Sequence, residues 1–219
     1  GIGHANRVIF QLEEGIIPVD AATKASHIAE LRGLRAYYYS ILLDLFGNIP
    51  IVTEYGDETI PEQSTRAQVF DFVTKELEAV IPQLPTTTGY PGMHGRINQY
   101  AAKVILANVY LNAQVYTGTA QWEKVLTLTN DLITSGKFRL EANYRTPFSR
   151  NNHTSQEIIF AVPYDQVNAG QSNFHMKTLK PDLRFALGLT SGPWGGSAGN
   201  PQFIDTYDPD DGRLADTWM

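Results

Sequence analysis

The sequence of 219 residues is long enough to bury a sizeable core, and its 42% hydrophobic and 18% charged residues are typical of a folded protein. A formal net charge of −6, with scattered basic residues, gives no stripe that would neutralise a phosphate backbone, so nucleic acid is not expected as a partner. The sequence holds no cysteine, which excludes disulfides and thiolate catalysis, and no stretch has the roughly 18 uninterrupted apolar residues of a membrane-spanning helix.

The first strong helical pattern runs from Leu34 to Phe46 and is stopped by Gly47 and Pro50. Weaker helical spacing precedes it in residues 3–14 and 21–32. The apolar spacing of residues 34–46 predicts one inward face, made of Leu34, Tyr38, Ile41, Leu42, Leu45 and Phe46. Because successive helical side chains are about 100° apart, the three tyrosines Tyr37–Tyr39 cannot share a face. We interpret them as core and interhelix packing residues whose hydroxyls reach polar partners.

Three further helices follow along the chain. Thr65 and Gln68 have capping-box spacing and begin the second helix, which ends at Pro82. Asn98 is a candidate cap for the third helix, and the fourth runs from about Gln121 to Ser135. The predicted apolar positions are Val69, Phe70, Val73, Leu77 and Val80 in the second helix, Ala102, Ile105, Leu106, Val109, Ala113 and Tyr116 in the third, and Trp122, Val125, Leu132 and Ile133 in the fourth.

The helices repeat in pairs. The first and third helices are related by an offset of 71 residues, which aligns Ala36 with Ala107 and Tyr39 with Tyr110. The second and fourth helices are related by an offset of 53 residues, which aligns Val69 with Trp122 and Val80 with Ile133. The difference matches an insertion, roughly Asn48 to Thr65, between the helices of the first pair. Since 71 is close to twice the roughly 34-residue period of tetratricopeptide-type repeats, the sequence predicts an all-α superhelix of helical hairpins with long irregular loops and minor β structure.

The character of the sequence changes after Lys137. The β-branched and aromatic run Ile158 to Val162 predicts one strand. Beyond it, residues 167–203 are rich in Gly, Asn, Ser and Pro, and a loop of that length is more often functional than not. We therefore divide the chain into a tetratricopeptide-like helical scaffold, residues 1–150, and a loop-rich ligand-binding region of the same domain, residues 151–219. Since the chain begins with Gly1, we interpret it as a fragment whose targeting or lipidation signal would lie outside it.

Six segments, in this order and at this spacing, resemble the SusD/RagB family of nutrient-binding outer-membrane lipoproteins. They are LRAYYYSILLDLFGNIPIVTE, RAQVFDFVTKELEAVIPQLP, GRINQYAAKVILANVYLNA, SGKFRLEANY, QEIIFAVPYD and PQFIDTYDPDDGRLADTW, which cover most of residues 31–218. The family's lipid-bearing N-terminal cysteine and its long C-terminal part are missing here.

The resemblance implies a binding protein and not an enzyme. Such a protein is lipid-anchored at the outer membrane, exposed at the cell surface, and sits as a lid on a SusC-like TonB-dependent transporter, to which it delivers oligosaccharide or starch-like polysaccharide, or peptides in some members. The insertion would then lie at a surface facing the barrel or the ligand. No cofactor is expected. The alternative from another class is a peptide-binding or protein-interaction tetratricopeptide scaffold, which predicts a concave groove with polar and charged residues.

Carbohydrate recognition needs flat aromatic faces and planar hydrogen-bonding groups, and residues 167–203 offer both. Trp194 is flanked by Gly192, Pro193, Gly195 and Gly196, a setting in which an indole stands free of its neighbours. The predicted ligand-binding residues are Trp194, Asn168, Gln171, Asn173, His175 and Arg184. The alternative is that Trp194 plugs the end of the helical stack, because large aromatics are usually mostly buried. Trp122 is interpreted as a packing residue.

Four other patterns have simpler structural explanations. Gly195 to Gly199 fits the nucleophile-elbow spacing G-x-S-x-G, but a Pro-Trp-Gly loop precedes it where that motif needs a strand. The acidic turn from Asp205 to Asp211 departs from the calcium-loop order and is interpreted as a β-turn, while calcium elsewhere in the ligand loop stays open. The histidines form no paired zinc motif. The acidic residues near Glu54 are interpreted as a solvated loop, with a glycosidase carboxylate pair as the alternative.

Overall fold

The structure, a computed structural model, describes residues 1–164, 167 and 174–218. Within those residues, helices dominate and the one sheet has two short strands. The elements are α1 (Ile2–Glu13), α2 (Ala21–Phe46), β1 (Ile49–Pro50), β2 (Gln63–Ser64), α3 (Arg66–Val80), α4 (Gln99–Leu111), α5 (Ala113–Thr117), α6 (Trp122–Thr134), α7 (Phe174–Thr178), α8 (Leu183–Ala186), α9 (Pro201–Ile204) and α10 (Gly212–Thr217). The predicted all-α class is confirmed.

Two compact units divide the chain. The first comprises residues 1–140 and 153–161, and the second comprises residues 141–152 and 162–219. In the described ranges, the first unit holds α1 to α6 and the main core, and the second holds the short helices α7 to α10 and a 3-10 turn at Thr146–Phe148, joined by irregular segments. The functional division predicted at residue 150 stays a prediction. In the described part of the chain, no helix combines the length and apolarity needed to cross a membrane.

The long helix α2 joins two segments that the sequence suggested separately. Asp20 caps it by accepting hydrogen bonds from the backbone N–H groups of Ala22 and Thr23 at 3.0 and 2.9 Å. Its buried residues are Ala29, Gly33, Arg35, Ala36, Tyr39 and Leu43.

The predicted inward face of this helix is confirmed at Leu34 and Leu42, which pack against the core. It is wrong at the remaining positions, where Tyr38 and Ile41 are each 37% and Leu45 and Phe46 each 66% exposed. Small residues decide the burial instead: a Cβ on Gly33 would lie 3.0 Å from Ile97 Cγ2, so the glycine lets α2 approach its neighbours closely. Of the three tyrosines, Tyr39 is buried, Tyr37 is partly buried and Tyr38 is 37% exposed.

The second and third predicted helices begin at their predicted caps. Thr65 and Gln68 form the capping box of α3, and Asn98 accepts a 2.8 Å hydrogen bond from the Ala101 N–H at the start of α4. The third predicted helix is interrupted at Asn112, which separates α4 from α5. In the fourth, Leu132 is buried and Val125 packs against the core, as predicted. Trp122 and Ile133 are 57% and 76% exposed, so the prediction that these two side chains pack inward is wrong.

The insertion between α2 and α3 is closed at its neck by the two-stranded sheet. Ile49 pairs with Ser64 and Pro50 with Gln63 in antiparallel register. The side chain of Asn48 accepts a 2.7 Å hydrogen bond from the Arg66 N–H, which fixes the same neck to the start of α3. Residues 51–62 therefore leave and re-enter the helical frame at one point.

The strand predicted at residues 158–162 is not formed. The described chain offers that segment no partner strand, and its backbone stays irregular. Phe160 instead packs edge-on against Tyr37 with ring centroids 5.3 Å apart and joins the helical core. The apolar run serves interhelix packing because aromatic burial does not require β pairing.

Candidate functional site

The Trp194 segment is held to α7 and its C-terminal flank by main-chain hydrogen bonds in the second unit. The Trp194 N–H donates to the Met176 carbonyl at 2.7 Å, and the Ser197 N–H donates to the Lys177 carbonyl at 3.0 Å. A third bond of 3.2 Å joins the Gly195 N–H to the Leu179 carbonyl. Because the backbone carries these bonds, the Trp194 side chain is not needed to hold the loop.

Trp194 is 57% exposed in the described structure. The two glycines that follow adopt positive φ angles, 63° at Gly195 and 142° at Gly196. Backbone of this kind is open to glycine and strained for residues with a Cβ. The loop therefore turns sharply behind an aromatic ring that stays accessible to solvent.

Arg184 lies beside the same segment. Its Nη2 donates a 2.9 Å hydrogen bond to the Thr190 carbonyl, and a Cβ on Gly192 would lie 3.9 Å from its Cδ. Its guanidinium lies 5.8 Å from the ring centroid of Phe185, which is 87% exposed. A cation and two exposed aromatic rings are thus presented by one stretch of chain.

The side chains of the other four predicted ligand-binding residues lie outside the described structure. Asn168, Gln171 and Asn173 lie outside the described residues. His175 falls within α7, whose backbone reaches Trp194 through Met176, but its side chain is likewise outside the description. The proposed set of six residues therefore stays a prediction, with two members placed on the same segment.

The G-x-S-x-G string is a loop, as interpreted from the sequence. Residues 191–200 are irregular, and no strand leads into Ser197. The nucleophile elbow needs a strand that turns into a helix, so this serine lacks the setting of a hydrolase nucleophile.

The acidic turn uses its carboxylates for local structure. Asp208 accepts a 2.9 Å hydrogen bond from the Asp210 N–H, and Asp211 caps α10 by accepting from the Arg213 N–H at 2.9 Å. The side chain of Arg213 also donates to Asp211, and these bonds lower the pKa of that carboxyl to about 2. No cluster of three or more potential metal-ligating residues exists within the described ranges. Whether calcium binds stays a prediction.

Trp218 belongs to a small aromatic cluster at the end of the described chain. Its ring is edge-on to Phe203 and Tyr207, with centroids 6.3 and 6.4 Å away. A Cβ on Gly199 would collide with the indole, so the glycine admits it. The indole packs against the chain that follows the Trp194 segment and contributes to the structure there.

A buried polar network anchors the start of the insertion in the first unit. Arg35, whose side chain is 6% exposed, donates to Glu76 at 2.9 Å, to Asn6 at 3.0 Å and to the Thr53 carbonyl at 3.1 Å. Arg32 donates two further bonds to Glu76, at 2.7 and 3.2 Å. Burial alone raises the pKa of Glu76, but the hydrogen bonds from Arg32 and Arg35 outweigh it and the pKa is lowered.

The same network holds the backbone at Val52. The Tyr39 hydroxyl donates to the Val52 carbonyl at 3.1 Å and accepts from the Val52 N–H at 2.7 Å, while Asn6 Nδ2 donates to that carbonyl at 3.0 Å. Three helices therefore fix the first residues of the insertion. Its acidic tip, with Glu54, Asp57 and Glu58, is exposed, as the solvated-loop interpretation expects.

A groove of about 360 Å³ opens between α2 and the α4–α5 segment. Its polar lining comes mainly from Ser40, Asp44, Asn108, Asn112 and the hydroxyl of Tyr116. Tyr116 donates a 2.9 Å hydrogen bond to Asp44 Oδ1, and burial together with this bond raises the pKa of Tyr116 to about 12. Asp44 Oδ2 and the Asn108 amide have no intramolecular partner among the described residues.

No single motif of the sequence indicates this groove, although the repeat offset carries a signal for it. Shifting by 71 residues relates Tyr37 to Asn108, Ile41 to Asn112 and Leu45 to Tyr116, and all six residues line the groove. Corresponding positions in two stacked repeats therefore meet on one surface.

The sequence comparisons point to one family. Residues 2–111 match the model of a SusD-like family described as starch-binding and associating with the outer membrane. Starch-binding protein SusD of Bacteroides thetaiotaomicron is 30% identical over 153 residues, which cover 67% of this chain and 27% of that protein. A SusD-like protein of Bacteroides ovatus is 29% identical over 226 residues, covering 97% of this chain and 39% of that protein. The chain thus spans well under half the length of these curated relatives.

Solved structures show the same fold. Surface glycan-binding protein A from Bacteroides uniformis matches with a TM-score of 0.79 and 24% identity, over 98% of this chain and 46% of that chain. A laminarin binding SusD-like protein matches with a TM-score of 0.63 and 24% identity, over 73% of this chain and 34% of that chain. At these identities the likeness concerns the architecture of helices and loops.

Proposed function

The chain belongs to the SusD-like family, and on that premise we propose that it is part of a cell-surface glycan-binding protein. In this proposal the protein captures oligosaccharide or starch-like polysaccharide and delivers it to a SusC-like TonB-dependent transporter without covalent chemistry. The observation that carries the proposal is the exposed indole of Trp194, held by main-chain bonds on a glycine-rich turn.

The chemistry of the Trp194 segment suits a saccharide. A pyranose ring has an apolar face of C–H groups that stacks on an indole, and its hydroxyls accept hydrogen bonds from a guanidinium such as that of Arg184. Each sugar face stacked on an aromatic ring adds little free energy beyond that of the water it displaces, so the affinity of one such site is expected to be modest. Repeated units along a polysaccharide would raise the apparent affinity by keeping the next sugar nearby.

The location follows from the same premise. The matched family is described as associating with the outer membrane. We propose that an N-terminal lipid attached to the full-length protein supplies this association and leaves the binding region at the cell surface. Metabolic labelling of the full-length protein with a fatty acid, followed by surface proteolysis of intact cells, tests both parts of this proposal.

Binding is tested with the chain and two matched tryptophan variants. Isothermal titration against soluble starch and laminarin oligosaccharides measures the parent, Trp194→Ala and Trp122→Ala. The two indoles are equally exposed, each at 57%, so nonspecific stacking would be lost equally in both variants. We expect Trp194→Ala to weaken binding by about tenfold or more and Trp122→Ala to leave it unchanged. Equal binding by all three proteins would remove Trp194 from the site.

Absence of catalysis is tested in the same samples. Chromatography of each glycan after prolonged incubation with the protein is expected to show no shortened products. Products that disappear in a Glu54→Gln variant would replace the binding proposal with the hydrolase alternative.

The groove between α2 and α4–α5 favours a second candidate function, peptide binding by the helical repeats. Its polar lining agrees with the concave surface that the protein-interaction alternative predicts, and Asp44 and Asn108 retain hydrogen-bonding capacity there. Titration with a library of short peptides distinguishes the two candidates. Peptide binding that is lost in Asp44→Ala and kept in Trp194→Ala would favour the scaffold function over glycan capture.

A further inference from the structure

The loop between α3 and α4 presents an exposed tyrosine on a closed turn. The Met93 N–H donates to the Gly89 carbonyl at 3.0 Å and closes the turn. The side-chain amide of Asn98, a residue only 2% exposed, donates to the Thr87 carbonyl at 3.1 Å. Tyr90 lies within this turn and is 58% exposed. The backbone of the turn is thus held to the helical frame while the phenol ring stays accessible to solvent.

Two histidine rings support the ring of Tyr90. The ring centroid of His153 lies 4.7 Å from that of Tyr90, and the ring centroid of His94 lies 5.7 Å from it. The interplanar angles are 61° and 75°, so neither imidazole lies flat on the phenol ring. All three residues belong to the first unit. We name this cluster the Tyr90 platform.

The two imidazoles bring hydrogen-bonding groups to the Tyr90 platform. His94 and His153 are both partly buried, and neither side chain makes a hydrogen bond or an ion pair in the part of the chain that the structure describes. A neutral imidazole has one donor and one acceptor nitrogen. The platform therefore combines an exposed aromatic ring with polar groups that are free to bind a ligand.

The basic side chain next along the loop is already paired. Arg96 lies two residues after His94, and its guanidinium donates to the two carboxylate oxygens of Glu30 at 2.9 and 2.6 Å. Because this carboxylate compensates its charge, Arg96 does not make the platform a site for anions. The chemistry of the platform suits a neutral, hydroxyl-rich ligand.

We propose that the Tyr90 platform is a second saccharide-binding site, which takes one pyranose of a neutral glucan. The C–H face of the sugar stacks on Tyr90, and its hydroxyls exchange hydrogen bonds with His94 and His153. This inference rests on the proposed function, since it adds a contact for the same class of ligand. The platform belongs to the first unit and the Trp194 segment to the second, so the two contacts can be removed separately.

The first test maps the ligand on the full-length natural protein without any substitution. Diethylpyrocarbonate modifies accessible imidazoles, and mass spectrometry of the digested protein reports the rate at each histidine. Maltoheptaose or laminarihexaose is expected to protect His94 and His153. His4, which is exposed on α1, is the internal control and should react at the same rate with and without the glucan.

The second test measures affinity in the Trp194→Ala background, so that only the second site contributes. Retardation in gels that contain soluble starch is compared with and without an added Tyr90→Ala or Trp122→Ala. Trp122 is 57% exposed and belongs to the same unit, which makes it the matched control. We expect Tyr90→Ala to raise the dissociation constant about threefold to tenfold and Trp122→Ala to leave it unchanged. Tyr90→Phe keeps the ring and should lose less than Tyr90→Ala.

The outcomes separate this inference from the proposed function. Unprotected His94 and His153, in a protein whose glucan binding is lost in Trp194→Ala, would overturn the Tyr90 platform and leave the proposed function standing. Protection that persists in Trp194→Ala supports the platform, even if that variant binds as well as the parent. A protein that binds no glucan overturns both. Protection by a proline-rich peptide and not by glucan would assign the platform to a protein partner and overturn the saccharide assignment.

Discussion

Arg35 and Glu76 form a 2.9 Å ion pair in which the side chains are only 6% and 11% exposed. Arg35 also contacts Asn6 and the Thr53 carbonyl, so the pair links α1, α2, α3 and the insertion. Desolvating a charge pair at this depth is costly, so the pair adds little net stability. Its main effect is to fix the geometry of the segments that it joins. We infer that it sets where the insertion leaves the frame.

Replacing Glu76 with Gln is expected to lower the free energy of unfolding by about 3 kcal/mol at neutral pH, because two guanidinium groups lose their buried counter-charge. Urea unfolding followed by circular dichroism measures the change. Glu58→Gln is the matched control, since Glu58 is exposed on the insertion, and it should shift the midpoint very little. Equal effects of the two variants would contradict the role assigned to the buried pair.

The same carboxylate predicts a pH dependence. The pKa of Glu76 is lowered below its ordinary value of 4.5, so the folded state binds the proton more weakly than the unfolded state does. Its contribution to stability is therefore complete above pH 4.5 and is lost as the pH falls through the folded pKa. Unfolding curves from pH 7 down to about pH 3 should show the parent and Glu76→Gln converging. A gap that stays constant would contradict the assignment.

Tyr39→Phe removes a hydroxyl that both donates to and accepts from the Val52 backbone. We expect a loss of free energy of unfolding of about 1–2 kcal/mol, because the Val52 N–H then lacks its partner in a partly buried place. Tyr38→Phe, at a position 37% exposed, should be nearly neutral. Hydrogen exchange adds a local reading: the Val52 amide should exchange faster in Tyr39→Phe and at the parent rate in Tyr38→Phe.

Gly33→Val tests the close approach of α2 to its neighbours. The first added carbon would lie 3.0 Å from Ile97 Cγ2 and 3.8 Å from Val80 Cγ2, so we expect a cost of about 1–3 kcal/mol in thermal unfolding. Gly3→Ala is the contrasting substitution, since no atom lies within 4 Å of its added carbon. Loss of a helical glycine there should be neutral or raise stability by less than about 1 kcal/mol. A Gly33→Val protein as stable as the parent would show that the interface adapts.

Local signals predicted the helices well. The capping box at Thr65 and the cap at Asn98 form as expected, because each depends on a few neighbouring residues. The inward face of α2 was not predictable in the same way, since it depends on which neighbour approaches. Gly33 and Ala36 are buried where contact is closest, and the bulkier Leu45 is left outside.

Contacts between distant parts of the chain also determine the conformation of the segment at Phe160 and the geometry of the candidate binding surfaces. A β-branched run forms a strand only when a neighbouring strand can hydrogen-bond to it. Here Phe160 packs against the ring of Tyr37 instead. For the site, the sequence singled out Trp194 from its glycine neighbours, and the structure leaves that indole exposed. The groove at Asp44 and Asn108 lies between two helices whose lining positions are related by the offset of 71 residues. No single motif spans that distance in the sequence.

The pairing of Ile49 with Ser64 has a consequence for how this protein can vary. Because the β1–β2 pairing holds the two ends together and the helices bind the backbone of Val52 and Thr53, the spacing of α2 and α3 does not depend on residues 54–62. Replacing this segment with one of another length or composition is expected to change the free energy of folding little, because the entropic cost of closing a loop grows slowly with its length. The segment can thus change in length and composition while the helical frame stays the same.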